Sequence, residues 1–223
     1  MKKIELKNKK SIVIISLILL SSIIIISLFF ITPRGYSLNK AYPNIKFDNP
    51  TGIYYANDGY NDLYVTEKGG KIWKFEDNSN VNEKELFLDI SDKVDDSKFE
   101  SGLLGLAFHN NYSENGIFVV YYASKNPEGV IISKFNRDNM EEIVLIQIEG
   151  NFPLHFAGQI LFDENNLLYI GIGDLGNSEN GQDLTNLKGK VLRININFGN
   201  PYSIPSGNPF LVWVLLPTSF PTI

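Results

Sequence analysis

The sequence predicts an all-β fold, a partial β-propeller preceded by one N-terminal transmembrane helix. Three observations carry this. Short runs rich in Ile, Val, Tyr and Phe recur between Gly, Asn and Asp. Three stretches share one plan and return at offsets of 55 and 50 residues. Residues 11–31 form a long uncharged apolar stretch ahead of all of them.

The strand runs are GIYYA, DLYVTE, KIWKF, GLAF, GIFVVYYA, VIISKF, QILF, LLYIGIG and KVLRINI. Short β-branched and aromatic segments, evenly punctuated by turn residues, suit a sandwich, a barrel or a propeller. No segment keeps a 3.6-residue period for three turns. Repetition selects the propeller. One unit opens at Ile53-Tyr-Tyr-Ala, turns through Asn57-Asp58-Gly59 and resumes at Leu63-Tyr64-Val65. The next runs from Phe108 through Gly116 to Phe118-Val119-Val120. The third runs from Gly158 through Glu164-Asn165-Asn166 to Leu168-Tyr169-Ile170. Each continues into a further strand, at Lys71–Phe75, Val130–Phe135 and Lys190–Ile196. One such sheet leaves both faces bare, so sheets stack around an axis. At roughly 50 residues per blade, about three to four blades fit. The atypical apolar tail 211–223 carries no charge. It reads as a truncation, or alternatively as a natural short terminal strand.

Residues 1–10 hold five Lys and one Glu, while the whole chain has 20 basic and 25 acidic residues. The basic segment is expected to stay cytoplasmic. Residues 11–31, SIVIISLILLSSIIIISLFFI, contain 16 apolar residues and five Ser. A helix of this length spans about 30 Å, the hydrocarbon thickness of a bilayer. We read it as an uncleaved membrane anchor. A cleaved signal peptide is the rival, although such an apolar core is usually only about 7–15 residues long. A buried core helix is the third reading. In both membrane readings the propeller portion, 49–210, is extracytoplasmic behind a linker at 32–48, or secreted if the segment is cleaved.

Two composition facts exclude function classes. The chain has no Cys, so a disulfide scaffold, a Cys-ligated metal and a thiol nucleophile are ruled out. Its net charge of −5 gives no basic stripe for nucleic acid. No G-x-S-x-G is present. Gly171 and Gly173 precede no helix that could hold a pyrophosphate. The run Asp89, Asp92, Asp95, Asp96 reads as a solvated loop.

Several motifs are more specific together than singly. Glu100-Ser-Gly-Leu-Leu-Gly-Leu-Ala-Phe-His109, with Asn115-Gly116 and Val119-Val-Tyr-Tyr122, is one. Leu168-Tyr-Ile-Gly-Ile-Gly-Asp174 is another. Asn180-Gly-Gln-Asp-Leu184, Gly189-Lys-Val-Leu-Arg-Ile194, Tyr202-Ser-Ile-Pro205 and Asn208-Pro-Phe210 follow in order. This series resembles the soluble quinoprotein glucose/sorbosone dehydrogenase family, over about residues 50–210.

The resemblance implies a six-bladed propeller, of which the chain holds the N-terminal part. It also implies an axial site for pyrroloquinoline quinone (PQQ), calcium as its activator and an aldose sugar as substrate. In that chemistry a His takes the proton of the sugar C1 hydroxyl while hydride passes to the quinone. By motif position His155 is the candidate base, and Glu100 is the candidate cofactor-side residue. An unperturbed imidazole titrates near 6.5 and so suits proton transfer near neutral pH. The plain alternative is a strand-start histidine bonded to a backbone carbonyl. Asp174, in a Gly/Asp/Asn loop, is the metal candidate, because calcium takes oxygen ligands. Its alternative is an Asx turn. His109 reads as a structural turn residue. The sequence departs from the family where Phe156-Ala157 follows the His and Leu154 precedes it. The family's quinone-holding G-L-R-N-P motif is not found.

Two functions are therefore expected. One is a PQQ-dependent sugar dehydrogenase-like protein, probed by His155→Ala. The other is a non-catalytic extracytoplasmic binding module. A homodimer that covers the open sheet faces is a further expectation.

Overall fold

The computed structural model describes residues 37–210. The predicted anchor at 11–31 and the tail at 211–223 lie outside the described residues. Among those described, no helix is long and apolar enough to cross a membrane.

Eleven strands form three antiparallel sheets. The first sheet contains β1 (Pro50–Tyr55), β2 (Asp62–Glu67), β3 (Lys71–Glu76) and β4 (Glu85–Asp89). The second contains β5 (Leu103–Phe108), β6 (Ile117–Lys125), β7 (Glu128–Asn136) and β8 (Glu142–Glu149). The third contains β9 (Ala157–Phe162), β10 (Leu168–Ile172) and β11 (Lys190–Ile194). Each sheet is a meander in which sequence neighbours pair. The one described α-helical turn, α1 (Tyr112–Asn115), closes on Gly116 in the left-handed region. These sheets match the three repeats read from the sequence.

Strand β6 explains how the sheets stack. Side chains alternate across a strand. Phe118, Val120 and Tyr122 enter a core shared with Tyr64, Ile72 and Leu88 of the first sheet. Val119, Tyr121 and Ala123 enter a second core shared with Ile160, Leu168 and Ile170 of the third. The run FVVYYA is thus apolar throughout because both of its faces are covered.

The first strands of the sheets, β1, β5 and β9, pack side by side. Their approach demands glycine. A Cβ on Gly105 of β5 would stand 2.1 Å from the Gly158 carbonyl oxygen of β9. No real Cβ comes so close to a backbone atom, so the two strands meet only because this side chain is missing. The segments entering β5 and β9 are thereby brought to one end of the junction.

Candidate functional site

Glu100 and His155 precede the first strands of adjacent sheets, and Asp174 follows the strand paired with β9. Strands β9 and β10 are antiparallel, so the start of one lies beside the end of the other. Their register changes between Ile170 and Ile172, where Ala157 pairs with Ile172. This bulge advances β9 by one residue. Extending the shifted register two positions outward sets His155 opposite Asp174. Without the shift, His155 would face Leu175.

The side chains meet accordingly. His155 Nδ1 lies 2.8 Å from Asp174 Oδ1. The backbone N–H of Gly176 donates to the same oxygen at 2.9 Å. Those two contacts, the Gly176 N–H first, hold the Asp174 carboxyl below its usual range. A carboxylate only accepts, so Nδ1 of His155 donates and carries the imidazole proton. In the neutral ring, Nε2 then presents its lone pair. The His155 side chain is 55% exposed, against 25% for Asp174.

The main chain of His155 is also fixed. Its N–H donates to Glu100 Oε2. Its carbonyl presses on Gly173, where a Cβ would lie 1.6 Å from the His155 oxygen. Residues 155 and 157 both have left-handed backbones, with φ of 62° and 61°. One residue on, the Phe156 carbonyl accepts the Tyr121 hydroxyl at 2.6 Å.

The structure thus brings together the three residues singled out by sequence. It gives Asp174 the Asx turn considered for it, and adds a bond to His155 that sequence reasoning missed. That bond could have been anticipated from the β9–β10 hairpin, given the bulge. Tyr121 was missed as well. The signal for it was the β6 alternation, which turns Tyr121 and Tyr122 to opposite sides.

Among the described residues, no group of three or more His, Cys, Asp or Glu gathers to hold a metal ion. His109 is structural. It is 3% exposed, accepts the Asn111 N–H at Nδ1 and meets Asn197 Oδ1 through Nε2. In the acid run, Asp89 and Asp95 cap Ser91 and Ser97.

PQQ is a tricarboxylate, so its seat needs cations or N–H donors. The side chains hydrogen-bonded to His155 are the carboxylates of Glu100 and Asp174. Lys68 is turned to the carbonyls of Asp96 and Lys98. Lys98 is engaged by Glu128 and Asn151. These residues do not fit an anionic quinone.

Comparison with known proteins agrees with the fold. The chain is similar to Hedgehog-interacting protein of Homo sapiens, at 30% identity over 72% of this chain and 26% of that protein. It is similar to quinoprotein glucose dehydrogenase B of Acinetobacter calcoaceticus, at 24% identity over 80% of this chain and 44% of that protein. Among solved structures, it resembles the PQQ-bound form of an aldose sugar dehydrogenase from Streptomyces coelicolor. There the TM-score is 0.61 and the identity 21%, over 78% of this chain and 50% of the other. The chain therefore spans half or less of these relatives' length. The family model for glucose/sorbosone dehydrogenase matches residues 47–213, which take in all three sheets. The chain belongs to the glucose/sorbosone dehydrogenase family.

Proposed function

We propose that this chain supplies the proton-accepting half of an aldose-oxidising site. One observation carries the reading: the exposed His155 imidazole, held through Nδ1 by Asp174, leaves Nε2 free of hydrogen-bond partners among the described residues. Nε2 accepts the proton of the sugar C1 hydroxyl, and the Asp174 carboxylate steadies the imidazolium that forms. Glu100 fixes the backbone from which the ring projects. The described residues do not furnish the seat of the electron acceptor, so the reading commits this chain to base and orienter. The basic segment 1–10 and the apolar segment 11–31 favour an extracytoplasmic position for the site.

The test is mutarotation of α-D-glucose by the full chain, followed by polarimetry, because a base at the C1 hydroxyl speeds ring opening with no electron acceptor. Acceleration that is lost in His155→Ala supports the reading. Acceleration that survives the substitution overturns it.

A second reading is an extracytoplasmic binding module. It is favoured by the exposed Leu154 beside the histidine and by the likeness to Hedgehog-interacting protein. Absence of any catalysed mutarotation by the wild-type full chain would leave this second reading.

A further inference from the structure

We propose that Tyr121 is the positioning residue for His155, acting through the Phe156 carbonyl. The inference rests on the reading of His155 as the proton acceptor.

The backbone entering β9 is costly. His155 and Ala157 both adopt the left-handed region without being glycine, and Gly158 follows at φ 117°. Such residues persist only where their surroundings over-determine them. Phe156 lies between the two, with its side chain in the core between the second and third sheets at 2% exposure. Its carbonyl takes the Tyr121 hydroxyl proton at 2.6 Å. Tyr121 itself is fully buried, and burial raises its pKa, so the hydroxyl remains a donor.

The bond fixes the plane of the peptide joining Phe156 to Ala157. That plane sits between the two left-handed residues. The other holds on His155 are the carboxylate of Glu100 at its N–H and Gly173 at its carbonyl. Tyr121 therefore holds this turn by a hydrogen bond from the second sheet's interior. Without it, the Phe156 carbonyl can swing and the His155 ring loses its aim at Asp174.

The chain's two histidines make the test clean. His155 carries its proton on Nδ1. His109 accepts the Asn111 N–H at Nδ1 and so carries its proton on Nε2. Long-range ¹H–¹⁵N correlation above neutral pH distinguishes the two forms. In Tyr121→Phe we expect loss of the single Nδ1-protonated His155 pattern and its replacement by a tautomer mixture, with His109 unchanged as the sign of an intact fold. A His155 pattern identical to wild type overturns the proposal. Should Tyr121→Phe alone fail to fold, the same comparison is made in an Ala157→Gly background, where the left-handed residue is unstrained. A mixture there supports the proposal, and an unchanged pattern overturns it. Asp174→Ala, which removes the acceptor at Nδ1, separates this from the underlying reading. If it leaves the wild-type pattern untouched, the His155–Asp174 pair itself is wrong, whatever Tyr121 does.

Discussion

His155 Nδ1 and Asp174 Oδ1 stand 2.8 Å apart, joined across the open end of the β9–β10 hairpin. They are 19 positions apart in sequence and become neighbours through one bulge. The pair sets both the tautomer of the imidazole and the direction of its free nitrogen.

Asp174→Asn should therefore damage proton transfer more than folding. The Asn amide can still accept the Gly176 N–H but no longer offers a charge to the imidazolium. Mutarotation of α-D-glucose catalysed by the full chain should slow by about 10²-fold or more, within the range of lost acid–base assistance. The melting temperature should stay close to wild type. A rate within about twofold of wild type would remove Asp174 from the mechanism.

His109 gives a pH dependence of stability with a definite sign. Burial holds its pKa below the ordinary 6.5. The unfolded chain thus takes up this proton at a higher pH than the folded chain does. The stability contributed by neutral His109 is complete above about 6.5 and is lost as pH falls from there through the folded-state value. Urea midpoints should drop between pH 7.5 and pH 5.5. His109→Gln, which can still accept a hydrogen bond, should flatten that slope. An equal slope in wild type and variant would show that another group is responsible.

Gly105→Ala should destabilise the junction of β5 and β9. The new methyl would meet the Gly158 carbonyl, which is backbone and cannot rotate away. The cost should be about 1–3 kcal/mol, typical of overpacking. That lowers the melting temperature by roughly 2–4 °C for each kcal/mol in a chain of this size. A thermal melt within 1 °C of wild type, by the roughly 2–4 °C scale just used, would mean that the strands are not so close.

The architecture was readable because strand runs and turn residues are local signals. Ile53, Phe108 and Gly158 mark the repeats, and each lies within the first strand of its sheet. The sequence singled out the residues that meet at His155 but not their wiring. His155 and Glu100 came from motif positions, and Asp174 from its Gly/Asp/Asn loop. That Asp174 binds the imidazole depends on the register shift between Ile170 and Ile172, which no local residue pattern announces. The Tyr121–Phe156 contact spans two sheets. It is a product of stacking, and residues 35 positions apart reveal it only once the sheets are in place. Leu154 and Phe156 stood out as departures. The structure shows why Phe156 is apolar: its ring helps to fill the core between the second and third sheets.

Strand β6 lends one row of side chains to each of two cores. A charge introduced anywhere from Phe118 to Ala123 has no solvent to turn towards, whichever way the residue points. Injury to either core is therefore felt in the other, and heat or denaturant should dismantle all three sheets in a single step instead of peeling them away in turn.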